Sequence, residues 1–130
     1  MHTIAATRAK RVLIVDDNED AAELVAMLLT IVGFETRVVH SGADALSVAP
    51  NYVPAVIFLD LGMPEMGGFE VARRMRCLPG LENVYIAALT GWGDKATRLQ
   101  TTIGGFDTHL QKPAMMADLV SACQAAEHKH

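Results

Sequence analysis

Five short apolar runs punctuate the chain: "RVLIV" (11–15), "TRVV" (36–39), "AVIFL" (55–59), "VYIAAL" (84–89) and the weaker "THL" (108–110). Rich in β-branched residues, they read as strands, and most are apolar throughout instead of alternating. Strands of that kind need cover on both faces, as in a parallel sheet held between two layers of helix. Segments of helical length lie between them. From Asn18 to Val32, the residues Ala21, Leu24, Val25, Leu28 and Val32 recur at the spacing of one helical face, which predicts that this stripe is buried. Asn18 or Asp17 can cap that helix, and Gly33 stops it. Further helices are predicted over "GADALSVA" (42–49), "GFEVARRMRCL" (68–78), "DKATRLQTTI" (94–103) and "AMMADLVSACQAA" (114–126). The order is βα repeated five times, and right-handed crossovers then place helices on both sides of a doubly wound sheet.

At 130 residues the chain is expected to form one domain, with its core over about 9–126 and frayed ends at 1–8 and 127–130. A net charge of −4 weighs against a nucleic-acid surface, which leans on Lys and Arg to neutralise phosphates. Any DNA-directed output would come from another chain or a further domain. No apolar run approaches the roughly 20 residues that span a bilayer, and "MHTIAATRAK" lacks the apolar stretch of a secretory signal, so a cytoplasmic location is expected. Cys77 and Cys123 are read as small core thiols, and Met63, Met66, Met115 and Met116 as packing residues. Trp92, between Gly91 and Gly93, is read as a partly exposed loop residue near the site.

In open α/β sheets the functional crevice lies beyond the carboxyl ends of the strands. The residues directly after the apolar runs are Asp16 and Asp17, Asp60, Thr90 and Lys112. Each has a plain structural reading alone: Asp17 as a helix cap, Asp60 as a turn-starting carboxylate, Lys112 as a solvated residue before a proline-led helix. Five such residues at the strand ends point instead to a joint site. Three crowded carboxylates raise one another's pKa unless a cation is present, and Mg²⁺ favours oxygen ligands of this kind. Asp60 is then the nucleophile candidate, because a carboxylate can accept a phosphoryl group. Mg²⁺, Lys112 and the Thr90 hydroxyl would neutralise the charge of phosphoryl transfer.

Through "LIVDDNED", "IFLDLGMPEMGGFE", "ALTGWG" and "FDTHLQKPA", residues 9–126 resemble a response-regulator receiver domain of two-component signalling. The resemblance implies a flavodoxin-like five-stranded sheet of order 2-1-3-4-5. It implies Mg²⁺ (or Mn²⁺) held by Asp16, Asp17, Asp60 and the Gly62 backbone carbonyl, with Asp60 taking phosphate from a histidine kinase or histidine phosphotransfer protein. Thr90 would be the switch hydroxyl, Gly91 would line the phosphate with it, Lys112 would pair with the phosphoryl group, and Lys112–Pro113 would be a cis peptide. Such a domain is no conventional enzyme, although it assists its own phosphorylation and slow dephosphorylation. An output protein would be the second partner, with neither nucleic acid nor membrane, and the chain a monomer or weak dimer. The family commonly has Tyr or Phe three residues before the lysine, and here that place is His109. His109 reads either as a switch residue or as an exposed strand residue without that role.

The helix predicted at 94–103 has poor propensity, with its threonines, Ile103 and the glycines at 104–105. Phosphorylation is therefore expected to act mainly on residues 90–110, the face formed by that helix and the fifth strand, and so to change protein contacts. Three competing readings fare worse. An FMN site needs a phosphate-binding loop after the first strand, and "DDNED" repels phosphate. An aspartate-nucleophile phosphatase needs an acid where Gly62 stands, and a degenerate receiver would not keep the whole set. "ALTGWG" and "GFDTHLQKP" look like receivers attached to hybrid histidine kinases, so a stand-alone regulator and a piece of a longer protein both stay open.

Overall fold

The computed structural model describes residues 10–91 and 104–129. The helix predicted at 94–103 and Trp92 lie outside them. Five parallel strands, β1 (Arg11–Val15), β2 (Glu35–Val39), β3 (Val56–Asp60), β4 (Tyr85–Thr90) and β5 (Thr108–Gln111), form one sheet in the order β2-β1-β3-β4-β5. This is the flavodoxin-like order. Helices α1 (Glu19–Ile31), α2 (Gly42–Tyr52), α3 (Gly68–Arg76) and α4 (Met116–Lys129) cover it on both faces.

The period-two geometry of the strands divides the core. Leu13, Val15, Ile57, Leu59, Ile86 and Ala88 pack with residues of α2 and α3, such as Ala45, Val71 and Met75. Their alternates Val12, Ile14, Phe58 and Leu89 pack with α1 and α4, through Val25, Leu29, Leu119 and Cys123 among others. The inner strands β3 and β4 are buried along their whole length, whereas the edge strand β2 alternates in exposure. Among the described residues no helix is long and apolar enough to cross a membrane.

Local structure departs from the sequence pattern in several places, and it decides between the two caps offered for the first helix. On α1 the buried residues are Ala22, Val25, Ala26 and Leu29, while Leu24 and Val32 of the predicted stripe are 49% and 41% exposed. This helix is apolar nearly all round, so two stripes compete, and the one with two alanines lets its backbone approach the sheet. Asn18, not Asp17, is the cap, its side chain accepting the Ala21 N–H at 3.0 Å. Cys77 is exposed, because α3 turns Val71, Ala72 and Met75 inward and Cys77 lies on the far side, two residues beyond Met75. Helix α2 runs through Pro50 to Tyr52, whose hydroxyl donates to the Glu35 carbonyl at 3.1 Å, and ends at Val53 with φ 52. Residues 127–129, expected to fray, belong to α4. Lys129 Nζ lies 2.8 Å from Asp107 Oδ1, while Asp107 Oδ2 accepts from the Ile86 amide and from Arg76.

One close approach fixes the end of β3. A Cβ on Gly68 would lie 2.7 Å from Leu61 Cδ2 and 2.8 Å from the Asp60 carbonyl oxygen, so α3 can start beside that strand end only with glycine there. Gly68→Ala is expected to cost about 1–3 kcal/mol, read by urea unfolding, because backbone atoms must move to admit the methyl group. An unchanged unfolding midpoint would contradict this packing.

Candidate functional site

Strand register brings the sequence candidates to one edge. Val15 pairs with Leu59, Asp60 with Leu89 and Thr90 with Gln111, so Asp16, Asp60, Thr90 and Lys112 all emerge at the carboxyl end of the sheet. The Asp16 and Asp60 side chains are only 1% and 10% exposed. Asp17 is exposed beside them, and one carboxylate oxygen from each of the three lies within 4.8 Å of the others.

Lys112 reaches across the strand ends to both buried acids. Its Nζ is 2.8 Å from Asp16 Oδ2 and 3.4 Å from Asp60 Oδ2, so its tighter contact is with Asp16. The Lys112 amide donates to the Thr90 carbonyl at 2.7 Å, and the Lys112–Pro113 peptide is cis. The second oxygen of each acid is bound locally: Asp16 Oδ1 accepts the Asn18 N–H and Asp60 Oδ1 the Gly62 N–H, both at 3.0 Å. Thr90 is buried, its hydroxyl donating to the Leu110 carbonyl at 3.3 Å. Gly91 is exposed, with open space where a side chain would stand. His109 is half-buried on β5, opposite Ala88 and on the sheet face that carries α2 and α3.

A further residue at this edge was not among the candidates. His40, directly after β2, has its Nδ1 2.9 Å from the Asp16 carbonyl oxygen. The same strand-end rule that selects the acids would have found it.

Burial pushes the Asp60 carboxyl up from 3.8 to about 6; the charge and hydrogen bonding of Asp16 add to the rise, against the Gly62 N–H and Lys112. Burial alone would lower the Lys112 pKa, but its bond to Asp16 and the charges of Asp60 and Asp16 hold it above the ordinary value. One ammonium thus stands against two of the three clustered carboxylates. That set of hard oxygen donors, negative in excess, fits a divalent cation.

The response regulator receiver domain family matches residues 12–124. The chain belongs to that family. This receiver domain is 33% identical over 119 residues to the DNA-binding response regulator MtrA of Mycolicibacterium smegmatis, covering 92% of this chain and 51% of that protein. It therefore spans about half the length of that relative. It is 32% identical over 104 residues to the polar-differentiation response regulator DivK of Brucella ovis, covering 80% of this chain and 85% of DivK. Among solved structures, the chemotaxis protein CheY4 of Vibrio cholerae superposes with a TM-score of 0.83 at 28% identity, over 89% of this chain and 97% of that one.

The raised Asp60 pKa sets a pH dependence with a definite sign. Because the folded value lies above the unfolded one, the folded receiver keeps this proton where the unfolded chain has lost it. Stability contributed by this group therefore falls as pH rises from about 4 to about 6. Without divalent ions, Asp60→Asn is expected to be more stable than the parent by about 2 kcal/mol at pH 7, the gap closing near pH ~4. Urea unfolding across that range checks it, and a variant less stable than the parent at pH 7 would contradict it.

Proposed function

We propose that this receiver domain takes a phosphoryl group on Asp60 from a phosphohistidine of a histidine kinase or phosphotransfer protein, and that the modification changes its contacts with an output protein. The carrying observation is the buried Asp60 carboxylate beside Asp16 and Asp17, with Lys112 spanning both buried acids. Asp16, Asp17, Asp60 and the Gly62 carbonyl would hold Mg²⁺ or Mn²⁺. When bound, that ion neutralises the oxygens of the transferring group.

The chain's own residues do the rest. An Asp60 oxygen attacks phosphorus in line as the bond to the imidazole nitrogen breaks, and β3 holds that carboxylate in place. Lys112, already at the crevice, shifts part of its contact from the acids to the phosphoryl oxygens. The Thr90 hydroxyl exchanges its long bond to Leu110 for one to the phosphoryl group, while Gly91 leaves room beside it. His109, one residue before Leu110 on the same strand, is placed to feel that exchange.

Incubation with acetyl phosphate and Mg²⁺ is expected to add one phosphoryl mass to the parent and none to Asp60→Asn. An unmodified parent would overturn the proposal. Amide exchange after beryllofluoride treatment is expected to change mainly within 90–110, and changes confined to α1 and α2 would contradict that output face.

A further inference from the structure

Asp16 is tied by its backbone to two consecutive residues at the end of β2. Its N–H donates to the Val39 carbonyl at 3.2 Å, and its own carbonyl oxygen lies 2.9 Å from His40 Nδ1. A carbonyl only accepts, so the His40 Nδ1 carries the proton and donates it. On the side-chain end, Asp16 Oδ1 accepts from the Asn18 amide and Oδ2 faces Lys112. Asn18 in turn caps α1 through the Ala21 N–H. All four polar groups of Asp16 therefore have partners.

Two features separate His40 from a residue that merely packs. Its neighbour Val39 points into the core, whereas the His40 ring is exposed. Its bond also goes to the first residue of the acidic pair, between β1 and the cap of α1. Asp17, the one exposed carboxylate of the three, stands in sequence between Asp16 and Asn18, both of which are held by these bonds.

We propose that His40 is a positioning residue of the acidic site, whose Nδ1–H bond to the Asp16 carbonyl orients the Asp16–Asp17 pair and so sets the affinity for a divalent cation. The inference rests on the reading of this cluster as a cation site. Groups that orient metal ligands typically change affinity by about 10–100-fold when removed. Acting through the backbone, His40 belongs at the lower end of that range.

The test is calorimetric titration of the full chain with Mg²⁺ alone, together with thermal unfolding. His40→Ala and His40→Phe, which lose the donor and in the second case keep a ring, are expected to weaken Mg²⁺ binding about tenfold. His40→Asn, which places an amide N–H at the δ position, restores most of the affinity. Ser41→Ala removes the hydroxyl that accepts the Asp44 amide at the start of α2, so it lowers the unfolding temperature and leaves Mg²⁺ affinity unchanged. Parent-like affinity in the donor-free variants, a loss that Asn does not restore, or an equal loss in Ser41→Ala would overturn the role of His40. A parent that binds no Mg²⁺ would overturn the cation-site reading and this proposal with it, whereas binding lost in Asp17→Asn supports the site independently of His40.

Discussion

The Lys112 ammonium between the Asp16 and Asp60 carboxylates is the contact on which the rest of this molecule depends. Two acids almost wholly removed from water would be costly without a counter-charge, and removing the lysine, which would leave both without it, costs about 3–5 kcal/mol. Three strands meet to make the contact: β1 delivers Asp16, β3 ends on Asp60, and β5 carries the lysine across from the sheet edge. Neutralisation is incomplete, because Asp17 adds a third carboxylate and Asp60 titrates at about 6. The site is poised for further positive charge and for a group that needs it.

Rigidity comes from around the crevice. Strands β3 and β4 are buried from end to end, Gly68 lets α3 lie against the last residue of β3, and the Asp60 carboxylate is fixed by the Gly62 amide. At the opposite end of the sheet, Asp107 gathers the Ile86 amide, Arg76 and Lys129, which ties β4, α3 and α4 to the start of β5. Pinned there, β5 presents Leu110, the acceptor of the Thr90 hydroxyl, and Lys112 at the crevice.

Much of this was legible in the sequence because the inner strands β1, β3 and β4 are apolar on both faces. That pattern allows little but a covered parallel sheet, and in such a sheet the strand ends are the place for chemistry. Asp16, Asp17, Asp60, Thr90 and Lys112 are found at one edge as that logic requires. The α1 stripe differs from the buried face because Leu24 and Val32 are as apolar as the buried set, and periodicity cannot choose between two apolar faces. Cys77 followed the composition of its neighbours but not the turn of its helix. His40 escaped because it resembles neither a hard metal ligand nor a phosphate-pairing amine, and its role lies in a bond to a backbone carbonyl.

If the strand-mounted carboxylate is the acceptor, the product is an acyl phosphate at one residue. Borohydride reduces an aspartyl phosphate to homoserine, so peptide mass mapping after phosphorylation and reduction reports both the chemistry and the position. The account predicts homoserine at 60, formed only when Mg²⁺ is present during phosphorylation. Homoserine at another aspartate, or phosphate retained on a hydroxyl or imidazole with Asp60 intact, would contradict it.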